Sequence, residues 1–168
     1  MKKDGRPKQK NGKPKKCYVI MVSRVFPTDH PKVGTITGFI PKIEQGEKQH
    51  TIRGNYDFWK KRIDKVIAGE AYISLRFWIG KPYRSAQHEF LQLEKAGIQK
   101  IEIDYNGAEE IISQINGGAY GVGLRTVAAN DGLKFTDFLD WFFPGRHKQH
   151  TRFNFTGAII HFNTILKY

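Results

Sequence analysis

Lys48-Gln49-His50-Thr51-Ile52-Arg53 follows the helix-stop signal Glu44-Gln45-Gly46-Glu47 and decides how the surrounding chain is read. The hexapeptide reads as the opening of a β-strand behind a short helix. On a strand, Thr51 and Arg53 lie two apart and share a face, while Ile52 turns into the core. Lys48 and Thr51 lie three apart and face opposite ways, so they converge only if the helix-to-strand corner is bent or bulged. A primary amine, a hydroxyl and a guanidinium in this order suit a nucleophile site or a phosphate clamp. The plainer alternative is an ordinary strand threonine beside a solvated lysine.

Working outward from that corner, Thr37 can cap the helix before it, whose apolar face is Phe39, Ile40 and Ile43 and which ends at Gly46. Residues 18–22 are almost wholly apolar and read as a buried strand. Between the two, Phe26-Pro27-Thr28-Asp29-His30-Pro31 is turn chemistry. Beyond the corner, residues 56–68 form a helical pattern with Trp59, Ile63, Val66 and Ile67 inward and Gly69 as stop. Residues 71–78 alternate, with Tyr72, Ser74, Arg76 and Trp78 on one face and Ile73, Leu75 and Phe77 on the other.

Further strands are expected over 88–93, 99–105, 124–128 and 155–165, and a strongly amphipathic helix over 135–143, stopped by Pro144-Gly145. Residues 109–115 fit helix or strand. Phe58, Trp59 and Trp141 sit on helical apolar stripes and are assigned to the core. Many short strands with two to three flanking helices predict an α/β (α+β) fold, a small mixed β-barrel with mostly antiparallel strands.

A chain of 168 residues is most economically one domain and has enough Ile, Val, Leu and Phe for a core. No run approaches the ~18 apolar residues of a membrane span, and the N-terminus carries no apolar signal segment, so a cytoplasmic protein is expected. Cys17 is the only cysteine, which excludes an internal disulfide and a cysteine-cluster metal site. The formal net charge of +12 is uneven. Residues 1–16 hold eight Lys/Arg against Asp4, whereas residues 17–168 hold 20 basic against 15 acidic side chains. The first segment is therefore expected to be a disordered basic arm, and 17–168 the folded domain. The arm suits contact with a polyanion, because each cation near a phosphate displaces a condensed counterion; its alternative role is as a solubilising tail.

A second cationic set lies further on, with Arg76 and Trp78 on one strand face and Lys81, Tyr83 and Arg84 in the next turn. Rings that stack on bases and cations that meet phosphates suit substrate or RNA binding. Alternatively Trp78 caps the core and the charges are solvated. His147 and His150, with His161 as a third ligand, have the spacing to chelate a metal. Pro144-Gly145 places the first two in a loop without carboxylates or thiolates, so no metal and no cofactor is expected. Arg146, His147, Lys148, His150 and Arg152 fit better as a basic loop. There is no Gly-x-Ser-x-Gly and no glycine-rich phosphate loop.

The chain resembles an ASCH domain, a branch of the PUA-like β-barrel superfamily, over roughly residues 18–168. The likeness rests on Lys48-x-x-Thr51-Ile52-Arg53 after a short helix, on Asp131-Gly132-Leu133 leading into Phe138 and Trp141, and on the closing run Thr156-Gly157-Ala158-Ile159-Ile160-His161-Phe162. PUA-like domains as a group bind RNA. Some small bacterial ASCH proteins are amidohydrolases that deacylate acetylated cytidine nucleosides with a Lys, a Thr and a carboxylate. Carried onto this chain, the resemblance implies Lys48, Thr51 and Asp131 as catalytic residues and RNA or a modified nucleoside as partner. Those hydrolases carry Glu at the carboxylate position, so Asp131 is one methylene shorter. The chemistry is coherent: a lysine whose pKa is lowered by burial can take the threonine proton, and a carboxylic acid can protonate the leaving amine.

Overall fold

A computed structural model describes residues 6–105, 111–116, 123–146, 152–164 and 168. The readings of residues 1–5, 107–110 and 117–122, and of His147, Lys148 and His150, lie outside the described residues. In order, the elements are β1 (Lys16–Met21), α1 (Phe39–Glu44), β2 (His50–Gly54), α2 (Tyr56–Ile67), β3 (Ala71–Trp78) and β4 (Gln87–Leu93). Then follow β5 (Gly97–Tyr105), β6 (Ile111–Ile115), α3 (Leu124–Asn130), α4 (Phe135–Phe142) and β7 (Phe153–His161). No helix among the described residues is long and apolar enough to cross a membrane.

The fold is α+β with mostly antiparallel strands, as expected. The strands form two sheets, ordered β1-β3-β4 and β2-β7-β5-β6. Only the β1–β3 pair is parallel among the described ladders. No ladder joins one sheet to the other among the described residues, so a closed barrel is not seen.

One hydrophobic cluster lies between the sheets. It takes Ile20, Ile73 and Leu75 from the first, Ile101, Ile103, Ile159 and Ile160 from the second, Ile63 and Val66 from α2, and Phe138 from α4. β5 alternates buried and half-buried positions from Gln99 to Tyr105, the period-2 signature of a sheet covered on one side. β7 lies between β2 and β5, and its last five residues are all buried. Gly157 is required there: a Cβ would stand 2.4 Å from the Arg53 carbonyl oxygen and 2.7 Å from the Phe155 ring.

Five expectations are corrected. Residues 124–128 form helix α3 rather than a strand, because the buried residues Leu124, Val127 and Ala128 follow the i, i+3, i+4 spacing of a helix face. This brings the described helices to four. Ile67 is 63% exposed, since α2 buries the Ile63–Val66 stripe and Ile67 falls past its edge. The strand after α1 begins at His50, leaving Lys48 and Gln49 in the connection. The last strand spans 153–161 rather than 155–165 within the described residues. Trp59 and Trp141 pack against the core, whereas Phe58, assigned to it, is 41% exposed. Ahead of β1, the Lys15 N–H donates to the Pro7 carbonyl, Lys8 bridges Pro14, and the Lys15 ammonium meets Glu94 at 2.5 Å.

Candidate functional site

The bend that the hexapeptide requires is supplied by backbone hydrogen bonds on both sides of Lys48. Its N–H donates back to the Lys42 carbonyl at the end of α1 (3.0 Å), and the Gln49 N–H donates to the Asn130 carbonyl at the end of α3 (2.8 Å). Only after that clamp does the chain join β7, pairing His50 with His161 and Thr51 with Ile160. Lys48 and Thr51 therefore escape the opposite-face rule of a regular strand and line one small cavity.

Asp131 arrives from the C-terminal end of α3, where its own N–H caps the helix on the Val127 carbonyl. The Lys48 ammonium donates to Asp131 Oδ1 and to the Asp131 carbonyl, both at 2.6 Å. It also lies 4.3 Å from the Phe39 ring centroid, within cation–π range. Lys42 donates to the next carbonyl, Gly132, at 2.7 Å. Two ammonium groups thus close the negative end of α3. Gly132, at φ +75°, keeps the turn tight; a Cβ there would come within 3.1 Å of Lys48 Cβ.

Lys48 is 3% exposed and Asp131 5%, which sets their electrostatics. Burial pulls the Lys48 pKa below its ordinary value even though Asp131 opposes it. Burial likewise raises the Asp131 carboxyl, against the pull of Lys48 and Arg53. Burial thus works against the charge on each group, and their mutual attraction works for it. Arg53 Nη2 donates to the Met21 carbonyl at 2.5 Å, tying β2 to the end of β1 and so one sheet to the other. Its buried Nε has no hydrogen-bond partner among the described residues. Burial lowers the Arg53 pKa, with Asp131 opposing.

The cavity they share measures about 60 Å³ and is also lined by Phe39, Trp141 and Phe142. That is the space of about two waters, at about 30 Å³ each, or of a small acyl group. Val22, Ser23 and Phe39 also border a wide groove of about 610 Å³. Its walls are largely apolar, with Val25, Ile36, Phe77 and Trp78 among them and Arg24 as the cation. No family model, no curated protein and no solved structure matches this chain. The site's chemistry therefore has to be read from its own atoms.

The second residue set is divided. Trp78 lines the wide groove and lies 5.4 Å from the Tyr83 ring. Arg76 is held away in a polar cluster, donating to Ser74 Oγ at 2.7 Å and standing 3.6 Å from Glu89, which also bonds Ser74. Lys81, Tyr83 and Arg84 are exposed, Tyr83 to 90%.

His161 Nε2 donates to Gln99 Oε1 at 2.8 Å, and among the described residues no three His, Cys, Asp or Glu side chains form a metal-holding group. Sequence reasoning passed over His50 and Tyr168. The Tyr168 hydroxyl accepts from Asn130 at 2.8 Å and lies 3.0 Å from His50 Nε2. Donation from the hydroxyl to Nε2 leaves the ring proton on Nδ1, 3.9 Å from Asp131 Oδ1 and without a hydrogen-bond partner among the described residues. His50 was visible inside the hexapeptide, but nothing local signals that the last residue of the chain returns to it.

Proposed function

We propose that this chain is an ASCH-type, PUA-like domain that recognises a nucleoside or RNA and hydrolyses the exocyclic amide of an acylated cytidine. The observation that carries the reading is the convergence of Lys48, Thr51 and Asp131 on one small cavity from two distant stretches of chain. In this reading the two sheets are the halves of an open PUA-like barrel, and Arg53 bridges them at the site.

The base lies in the wide groove beside Trp78, and the amide reaches into the small cavity. The proton moves within the buried pair, leaving Lys48 as amine and Asp131 as acid, the direction in which burial pushes both groups. Thr51 Oγ attacks the acyl carbon and gives its proton to Lys48. Asp131 protonates the exocyclic nitrogen as the C–N bond breaks, and water then cleaves the threonine ester. Arg53 Nε, buried and without a partner among the described residues, is a donor beside the developing oxyanion.

A binding module without turnover is the second reading. It is favoured by the donation of Lys48 to the Asp131 carbonyl, which accounts for the lysine as a helix cap. Purified protein assayed on acetylated cytidine nucleosides beside Thr51→Val decides between them. Turnover that Thr51→Val abolishes without lowering the melting temperature supports the hydrolase. Absence of turnover in the folded wild type leaves the binding module.

A further inference from the structure

β1 runs to the candidate site at its Met21 end, and its other end opens onto a separate groove. This groove, about 590 Å³, lies between Lys16 and Tyr18 of β1 and the outer face of α2. Lys16, Lys61, Arg62 and Lys65 face it, against two acids, Asp64 and Glu70. Asp64 is already engaged by Lys60 at 2.7 Å, so the local balance is strongly cationic. None of the four facing cations has an ion-pair partner among the described residues.

Arg62 is held in place. Its guanidinium carbon lies 3.3 Å from the Phe58 ring centroid and 5.4 Å from that of Tyr18, and Nη1 donates to the Phe58 carbonyl at 3.0 Å. Lys16 approaches the Tyr18 ring at 5.5 Å. A planar guanidinium fixed between rings loses little freedom on meeting a phosphate oxygen, and its remaining N–H groups have the fork geometry for it. Phe58, Lys61, Arg62 and Lys65 stand at i, i+3, i+4 and i+7, one face of α2. The exposed cations Lys8, Lys10 and Lys13 lead into Lys16 along the chain. Lys13 is three residues from it, within about 11 Å at full extension.

We propose that this groove binds the phosphate backbone of a single-stranded nucleic acid without reading its sequence. Phe58, 41% exposed, offers ring surface on which an unpaired base can stack, whereas a duplex turns its bases inward. From Lys16 to Met21 the strand rises about 16 Å, so the groove is distinct from the Lys48 cavity and does not depend on hydrolysis there.

The test is binding of the full chain to a labelled single-stranded oligouridylate, followed by anisotropy between about 50 and 200 mM salt. Each phosphate contact contributes about −0.7 to the log–log salt slope. Lys61→Glu with Lys65→Glu should weaken binding about tenfold or more and flatten the slope by about 1.4. Both lysines are exposed, so folding is not at risk, and circular dichroism checks it. Phe58→Ala should weaken binding with the slope unchanged. Lys95→Glu, an exposed charge reversal outside the groove, should change affinity less than about twofold.

Wild-type affinity in the double variant would overturn the proposal. So would an equal loss in Lys95→Glu, which would reduce the effect to net charge. Binding to phosphatidylserine vesicles with none to the oligonucleotide would overturn it in favour of a membrane surface.

Discussion

The corner holding Lys48, Asp131 and Arg53 and the end of the β3–β4 hairpin holding Arg76, Lys81, Tyr83 and Arg84 carry similar side chains under opposite conditions. At the corner, Lys48 and Asp131 are almost wholly removed from water, and Arg53 Nε and His50 Nδ1 are buried without partners among the described residues. At the hairpin, the Arg76–Glu89 pair keeps 30% of each side chain exposed, and the turn residues are solvated. Removing charges from water costs several kcal/mol per ion even after relaxation, so the corner is retained against a penalty the hairpin never meets. A solvated cation is weak evidence of a site; a buried, incompletely satisfied cluster beside a cavity is far stronger.

The largest test of that contrast is Lys48→Met, which strands Asp131 in the interior. It should cost about 3–5 kcal/mol by urea unfolding, whereas adding Asp131→Leu should restore most of the loss. A cost below about 1 kcal/mol would erase the difference between the two regions.

The buried histidines give the corner a pH signature. Burial lowers the His161 pKa from 6.5 to about 4, and burial with the Lys48 charge holds His50 well below its ordinary range. As pH falls, the unfolded chain takes these protons first. The His161 contribution is therefore full above about pH 6.5 and drains between there and about 4, by up to ~1.4 kcal/mol per pH unit, and the His50 contribution is lost in the same direction as pH falls. His161→Gln should reduce that slope in unfolding measured across this range. An unchanged slope would mean that His161 is charged or solvated in the fold.

Gly157→Ala tests the support behind Arg53. The added methyl meets the Arg53 carbonyl and should cost about 1–3 kcal/mol, read as a lowered urea midpoint. At the small end, Arg76→Ala should cost less than about 1 kcal/mol, and Lys81→Ala or Arg84→Ala less than about 0.5 kcal/mol. A multi-kcal loss at any of these would show that the hairpin is built like the corner.

Much of the fold was legible in the sequence because the signals were local. Residues 71–78 alternate and form β3 with the expected bounds, and the Ile63–Val66 stripe identifies α2. Residues 124–128, Leu-Arg-Thr-Val-Ala, misled because five residues are too few to fix a period, and helical spacing is seen only when Leu124, Val127 and Ala128 are taken together. The candidate site was legible as parts. That Arg76 would be drawn to Glu89, and Trp78 to the groove, depended on the β4 strand laid beside them and on the irregular pairing between Leu75 and Arg76.

By itself the sequence determined the α+β character, the uneven charge and the chemistry available at Lys48, Thr51 and Asp131, because residue types and short-range periodicity carry these. Tertiary structure alone decided that Lys48 leaves the strand direction, that α3 delivers Asp131 to it, and that Tyr168 closes on His50. Those contacts join residues 83 and 118 positions apart, and their geometry comes from helix ends and sheet edges packed together rather than from local pattern.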